Sequence, residues 1–292
     1  LVVHTSFARG QIKSLGILKQ AGVPVMESSD RSMHCMSALM KFAMNRDKIS
    51  RMRIPPNKPR EQPAVKAIFK QAKDENRSNL LETESRDLLK EYGIPLPKAE
   101  LARDFKAATE AAGKINYPLA MKIVCPDIIH KSDAGGIKLD LKNETDVEKA
   151  FEEIVENACK LTTKERVIGT LISPMVPKGQ ECIIGMIRDP QFGPVIMFGL
   201  GGIFVEVLKD VSFRVAPLAA EDIDQMIMDI KGYKVLTGIR GEAPKDIEAV
   251  KGILSKISEI AVDHPEINEI DLNPVIVHEK GISIVDSRVI LR

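Results

Sequence analysis

The sequence predicts an α+β chain built around mixed or antiparallel sheet, and three observations carry that reading. Five β-like runs follow one another between residues 167 and 216, joined by short turns (Pro177-Lys-Gly, Asp189-Pro, Gly199 to Gly202, Lys209-Asp). A short turn between consecutive strands enforces antiparallel pairing. Segments with apolar residues three and four apart, the spacing of a buried helix face, lie on both sides of these runs. Strands do not alternate one for one with helices, as a doubly wound parallel sheet requires, so the pattern disfavours a Rossmann nucleotide site.

From the start, Leu1 to His4 reads as a strand end, Gln11 to Ala21 as a helix stopped by Gly22, and Val23 to Met26 as a short strand. Asp30 is placed to cap a helix over Arg31 to Phe42, whose Met33, Met36, Leu39 and Met40 read as core rather than as a metal site. A β-α-β-α piece this short cannot bury both faces of a sheet, so residues 1–50 are expected to end a larger α/β domain. The first residue is leucine and no secretory leader pattern follows, which suggests a fragment or a processed chain. Arg51 to Lys73 carries seven basic residues, one acid and four prolines, the composition of an extended linker, here assigned to residues 51–79.

Order is expected to return with an amphipathic helix over Leu80 to Tyr92, a strand within Ile94 to Ala102, and an Asp104-capped helix over Phe105 to Lys114. The strand Leu119 to Val124 follows, then a polar loop, then the strand Ile137 to Leu141 and a long helix ending near Lys160, capped by Asn143 or Thr145. After the five β-like runs, the last of them 203–208 and 212–216, come helices at 220–230 and 246–262 and strands at 267–278 and 282–285.

Composition narrows the function classes. Hydrophobic residues make up 44% and charged residues 28% of the 292-residue chain, enough to build a core with a solvated surface. A net charge of +1, no tryptophan and 4% aromatic residues argue against a nucleic-acid surface, and no apolar run is long enough to span a membrane. Four widely spaced cysteines (Cys35, Cys125, Cys159, Cys182) form no CxxC pair and are expected as free, buried thiols of a cytoplasmic protein.

Three polar clusters could carry chemistry. The stretch MKIVCPDIIHKSDAGG places Lys122 on a buried strand and His130, Lys131, Ser132 and Asp133 in a loop closed by Gly135-Gly136. Such a loop suits backbone N–H groups against phosphate, a strand lysine adds a point charge, and histidine is a candidate nucleophile. A lysine snorkelling to solvent and a plain hairpin turn fit the same residues. In MVPKGQECIIG, backbone groups of Met175 and Val176 could read an adenine edge and Glu181 could hold ribose hydroxyls. In EIDLNPVIV, Glu269, Asp271 and Asn273 share a strand face, and a hairpin with ISIVDSRVI would bring Asp286 to Asn273. A carboxylate and an amide oxygen can hold Mg²⁺ when phosphates complete its shell, and an edge hairpin with its polar face in water fits the spacing as well.

The order HKSDAGG, SPMVPKGQECIIG, RDPQFGP, GLGGIFVEVLKDVSFRVAPL and EIDLNPVIV…VDSRVIL resembles the ATP-grasp subunit of the ADP-forming acyl-CoA synthetases, relatives of succinyl-CoA synthetase. The resemblance covers residues 80–292, while residues 1–50 are similar to the end of the flavodoxin-like CoA-ligase domain that precedes it in fused enzymes. It implies an ATP-grasp fold, two α/β subdomains gripping ATP or ADP. It also implies roles: Lys122 on the phosphates, His130 to Ser132 as phosphate loop, Ser173, Met175 and Val176 along the adenine cleft, and Glu181 on ribose. Asn273 and Asp286 would bind Mg²⁺, His130 would be a phosphohistidine oriented by Asp271 or Glu206, and Arg288 would neutralise phosphoryl charge. Asp271 stands where succinyl-CoA synthetases carry Glu, and Ser173 replaces an acidic residue, which leaves adenine recognition to backbone groups.

The implied reaction is acid + ATP + CoA = acyl-CoA + ADP + Pi, with His130 relaying the phosphoryl group. CoA and a small carboxylic acid would bind at N-terminal CoA-binding and CoA-ligase domains, in the same natural chain or in others, giving a dimer of fused chains or a hetero-oligomer. The rivals are an ATP-grasp carboxylate–amine ligase, which uses no phosphohistidine, and a non-catalytic nucleotide-binding module.

Overall fold

The computed structural model describes the chain apart from residues 1–2, 5–15, 19, 27, 52–59, 61, 203–208 and 240, and the side chains of 3–4, 45 and 47–51. It divides into two compact units, 1–55 and 56–292. In the first, β1 (Val3–His4) pairs in parallel with β2 (Val25–Met26), and α1 (Ser29–Arg51) follows. Most of the helix expected at 11–21 lies outside the described residues. Met33, Met36, Leu39 and Met40, expected in a core, are instead exposed on α1. Among the described residues of this unit the sheet is two strands of two residues each, too little to cover the apolar side of the helix.

The second unit opens with a helix where the sequence predicts a linker. Residues Pro63–Asp74, assigned above to an extended linker, form helix α2 with Val65, Phe69 and Ala72 buried on one face. Proline at its start costs nothing, because first-turn N–H groups have no intrahelical partner. The lysines that suggested a linker, Lys66, Lys70 and Lys73, are the solvent side of this helix.

Two antiparallel sheets follow. The smaller has the order β3-β6-β4-β5, from β3 (Glu100–Ala102), β4 (Leu119–Val124), β5 (Ile137–Leu141) and β6 (Gly169–Pro174). Beyond α3 (Glu82–Glu91), helices α4 (Phe105–Lys114) and α5 (Glu144–Cys159) pack on it, capped by the side chains of Asp104 and Asn143. Their Ala108, Ala111, Val147 and Ile154 meet Leu119, Met121 and Ile123 of β4 in one core. Side chains alternate along a strand, so this packing turns Lys122 to the opposite face.

The larger sheet has the order β11-β10-β7-β8-β9 with β12 also on β10. Its strands are β7 (Gln180–Asp189), β8 (Gly193–Leu200), β9 (Val211–Val215), β10 (Ile267–Val277), β11 (Ile282–Ile284) and β12 (Ser287–Leu291). Its core joins Ile184, Met186 and Phe198 to Leu88 and Leu89 of α3 (Glu82–Glu91), to Met226 of α6 (Ala220–Met228), to Leu236 of the short α7 (Tyr233–Leu236) and to Ile253 and Ile257 of α8 (Ile247–Asp263). The strand expected at 203–208 lies outside the described residues. The final strand divides: Val285 and Asp286 sit between β11 and β12, so Asp286 is at a break and not within a strand. Among the cysteines, all free, Cys125 and Cys182 are buried as expected, whereas Cys35 is half-buried and Cys159 exposed.

Candidate active site

Lys122 reaches the seam between the two sheets. Its Nζ donates to Glu82 Oε1 at 3.1 Å, the Val285 carbonyl at 2.6 Å and Asp286 Oδ1 at 3.2 Å. From the polar loop, Lys131 Nζ donates to Asp286 Oδ1 at 2.9 Å. It also lies 2.9 Å from Glu82 Oε2, which has no partner in hydrogen-bonding geometry. The result is a quartet of two lysines and two carboxylates, with Glu82 and Lys122 buried and Lys131 and Asp286 half-buried. Burial alone would raise the pKa of Asp286, but Lys122 and Lys131 outweigh it and hold the carboxyl at about 2. For Lys131, burial opposes the charge, and Glu82 and Asp286 more than restore it.

On one side of the quartet is a cavity of about 510 Å³, lined by His130 to Asp133, Asp271, Asn273, Asp286 and Arg288. The loop above it is shaped by its glycines: Gly135 adopts φ +61, and a Cβ on Gly136 would lie 2.5 Å from Ile123 Cγ2. Their own amides are used within the loop. Gly135 N–H donates to the Ser132 carbonyl, Gly136 N–H to Lys131 and Ala134 N–H to His130. The glycines close the turn, leaving the amides of His130 to Asp133 as the loop's open donors.

Across the cavity, Asp271 and Arg288 are paired residues of β10 and β12. Arg288 Nη2 bonds Glu269 and lies 3.6 Å from Asp271 Oδ2. Burial raises the pKa of Asp271; Arg288 lowers it, Glu269 and Asp286 raise it, and His130 is near enough to lower it further. Asn273 N–H donates to the Asp286 carbonyl at 3.3 Å, so the expected hairpin contact is present.

On the other side is a cavity of about 420 Å³, lined by Ser173 to Gly179, Glu181, Leu171, Ala120, Ile276 and Lys122. The connector from β6 to β7 crosses it. Pro174 and Pro177 have no N–H, and Met175 donates its own to the Pro118 carbonyl at 2.9 Å. Val176 keeps its N–H open, as Lys178 and Gly179 do further along the connector, and it stands beside open carbonyls: a short donor–acceptor edge in an apolar slot.

Two antiparallel lobes meet at a charged seam between an apolar slot and a polar cavity, and the chain belongs to the ATP-grasp domain family, whose model matches residues 71–291. Its relatives narrow the family to the ADP-forming acyl-CoA synthetases, which are ligases. The chain is 51% identical over 227 residues to subunit beta of acetate–CoA ligase [ADP-forming] I of Pyrococcus furiosus, covering 78% of this chain and 97% of that one. It is 45% identical over 269 residues to the 4-hydroxybutyrate–CoA ligase [ADP-forming] of Nitrosopumilus maritimus, covering 91% of this chain and 38% of that one. This chain thus spans about two fifths of that longer relative. Acetyl-coenzyme A synthetase 1 of Ca. Korarchaeum cryptofilum, with coenzyme A and Ca-AMPCP, superposes with TM-score 0.75 at 47% identity, covering 78% of this chain and all of that one. A second structure of that protein holds coenzyme A and Mg-AMPPCP, with a phosphohistidine segment pointing towards its nucleotide site (TM-score 0.69, 46% identity, the same coverage).

Of the residues singled out in the sequence, Lys131, His130, Ser132, Asp271, Asn273, Asp286 and Arg288 line the polar cavity. Lys122, Ser173, Met175, Val176 and Glu181 line the apolar one. Glu206 lies outside the described residues. Sequence reading missed Glu82, which lines both cavities, and Arg86, which lines the second. Both sit in an amphipathic helix where Glu and Arg are ordinary, and only the fold of α3 against the seam gives them a role.

Proposed function

We propose that the two cavities are one nucleotide site and that His130 exchanges a phosphoryl group with ATP or ADP there. The carrying observation is that Glu82 lines both the slot of Met175 and Val176 and the cavity of His130, while Lys122 of the slot bonds Glu82 and the cavity's Asp286. Adenine would lie against the Val176 N–H and neighbouring carbonyls, with Ser173 beside it and ribose at Glu181. The polyphosphate would cross the seam past Lys122 and Lys131 to the amides of His130 to Asp133.

An imidazole nitrogen of His130 attacks the γ-phosphorus, the bond to the β-phosphate oxygen breaks, and ADP leaves; the reverse step regenerates ATP. Asp271 orients the ring, and Arg288 offsets charge on the transferring group. Asn273 and Asp286 fit Mg²⁺ as two oxygen donors to an ion that keeps water and phosphate ligands; among the described residues no cluster of three or more His, Cys, Asp or Glu could cage it. When bound, that ion would neutralise phosphate charge.

The wider assignment rests on the relatives' names. The full reaction, acid + ATP + CoA = acyl-CoA + ADP + Pi, needs CoA and carboxylic-acid sites on other domains. Residues 1–50 fit the end of such a CoA-ligase domain, because a match over 91% of the chain must extend ahead of residue 71. Residues 51–62 would be the linker. The partner is a CoA-ligase portion in the same or another chain, and the free thiols favour a cytoplasmic setting. Among the described residues no helix is long and apolar enough to cross a membrane.

The test is incubation with γ-labelled ATP and Mg²⁺ together with the CoA-ligase portion, beside His130→Ala. Acid-labile, base-stable label on the wild type that His130→Ala lacks is expected. Equal labelling of the two, or none with nucleotide bound, rejects the histidine relay.

A further inference from the structure

Glu82 is the first residue of α3, where the helix dipole favours an anion. It is 5% exposed. Its helix start is fixed by Arg77, which grips Glu84 through two hydrogen bonds of 2.8 and 2.7 Å, while Glu84 accepts from the Leu81 N–H. So placed, Glu82 faces Lys122 and Lys131 with Asp286 opposite, and the charges of the quartet cancel. Arg86, one turn on, adds a positive charge beside the second cavity; its guanidinium is held in place by the Pro97 carbonyl, a neutral acceptor. Arg288, in the first cavity, is held by Glu269 and Asp271. At the seam a bare polyphosphate thus meets two lysines already paired with two carboxylates that repel it, and Arg86 beside the second cavity does not undo that pairing.

We propose that Glu82 is a specificity-determining residue: it makes the site reject free nucleotide and accept nucleotide that arrives with a divalent cation. This rests on the nucleotide reading above. The cation adds positive charge at a seam whose lysines are already paired, while Asp286 and Asn273 turn to it and phosphate oxygens take over the lysines. Glu82 needs no contact with the cation for this. Its buried charge, between two lysines and on the path between the cavities, sets the balance.

The experiment is calorimetric titration of this chain and its Glu82→Gln variant with ATP in Mg²⁺, ATP in chelator, and adenosine. The variant keeps the shape of the side chain and removes its charge. It should bind metal-free ATP at least about tenfold more tightly than the wild type, on the order of 1.4 kcal/mol. Mg–ATP should change by less and adenosine not at all. Glu82→Asp, which keeps the charge, should retain the wild-type preference for Mg–ATP. A merely structural role would instead weaken all three ligands together. If Glu82→Gln does not fold, Lys131→Met tests the same balance in the opposite sense, raising the preference for Mg–ATP about tenfold. Wild-type binding of Mg–ATP with an unchanged preference in these variants overturns this proposal alone; a wild type that binds no nucleotide overturns the nucleotide reading with it.

Discussion

Replacing Lys122 by methionine keeps the stem that packs in the seam and removes the ammonium. In the intact protein the Lys122 side chain is 6% exposed, and its ammonium serves Glu82, the Val285 carbonyl and Asp286. Removing one partner of a buried ion pair costs about 3–5 kcal/mol, because the other charge is left uncompensated. Two features favour the lower end. Lys131 remains 2.9 Å from both carboxylates, and Asp286 is 29% exposed to the cavity. We therefore expect a loss of about 3 kcal/mol, which for a unit of this size lowers the melting midpoint by about 6–12 °C. Urea denaturation and thermal melting of wild type, Lys122→Met, Glu82→Gln and the double variant would measure it. The double variant should be more stable than Lys122→Met, since its seam again has equal numbers of positive and negative groups. A loss below about 0.5 kcal/mol, or strictly additive effects, would refute the account of the seam as a coupled ion quartet.

Acid stability should follow Asp286. Its folded pKa of about 2 lies below that of a free carboxylate, so its contribution is complete above about pH 4 and lost as pH falls towards 2; Lys122→Met should move that loss to higher pH in acid titrations followed by circular dichroism. Asp271 has the opposite sign, because burial makes its charged form unfavourable. Asp271→Asn should melt at or above the wild-type temperature while slowing labelling of His130 by on the order of 10²-fold, and a variant that labels normally would remove Asp271 from the mechanism. Gly136→Ala should destabilise by about 1–3 kcal/mol in urea, since its Cβ would lie 2.5 Å from Ile123 Cγ2.

Much of this architecture is legible in the sequence because it rests on local patterns. The helix over Phe105–Lys114 follows from its aspartate cap and alanine face, and the β4–loop–β5 unit from an apolar strand and a glycine pair. The pairing of Asn273 with Asp286 follows from two strands in sequence. Features set by tertiary contact were not legible. The prolines and lysines of 51–73 suggest an extended segment, yet Val65, Phe69 and Ala72 find a core and the segment from Pro63 becomes a helix. The amides of Gly135 and Gly136 satisfy their own loop, a geometry that composition does not encode. Glu82 carries no local signal, because its neighbours at the seam are 40, 49 and 204 residues away in sequence.

The central claim is that one nucleotide spans both cavities with its terminal phosphate at His130. A crystal structure of this chain with Mg²⁺ and a non-hydrolysable ATP analogue tests it most directly. The account predicts adenine on the Val176 N–H, the polyphosphate crossing at Lys122 and Lys131, and the γ-phosphorus within about 3–3.5 Å of a His130 ring nitrogen or brought there by a side-chain rotation. An analogue seated in one cavity alone, or with its γ-phosphate directed away from His130, would contradict it.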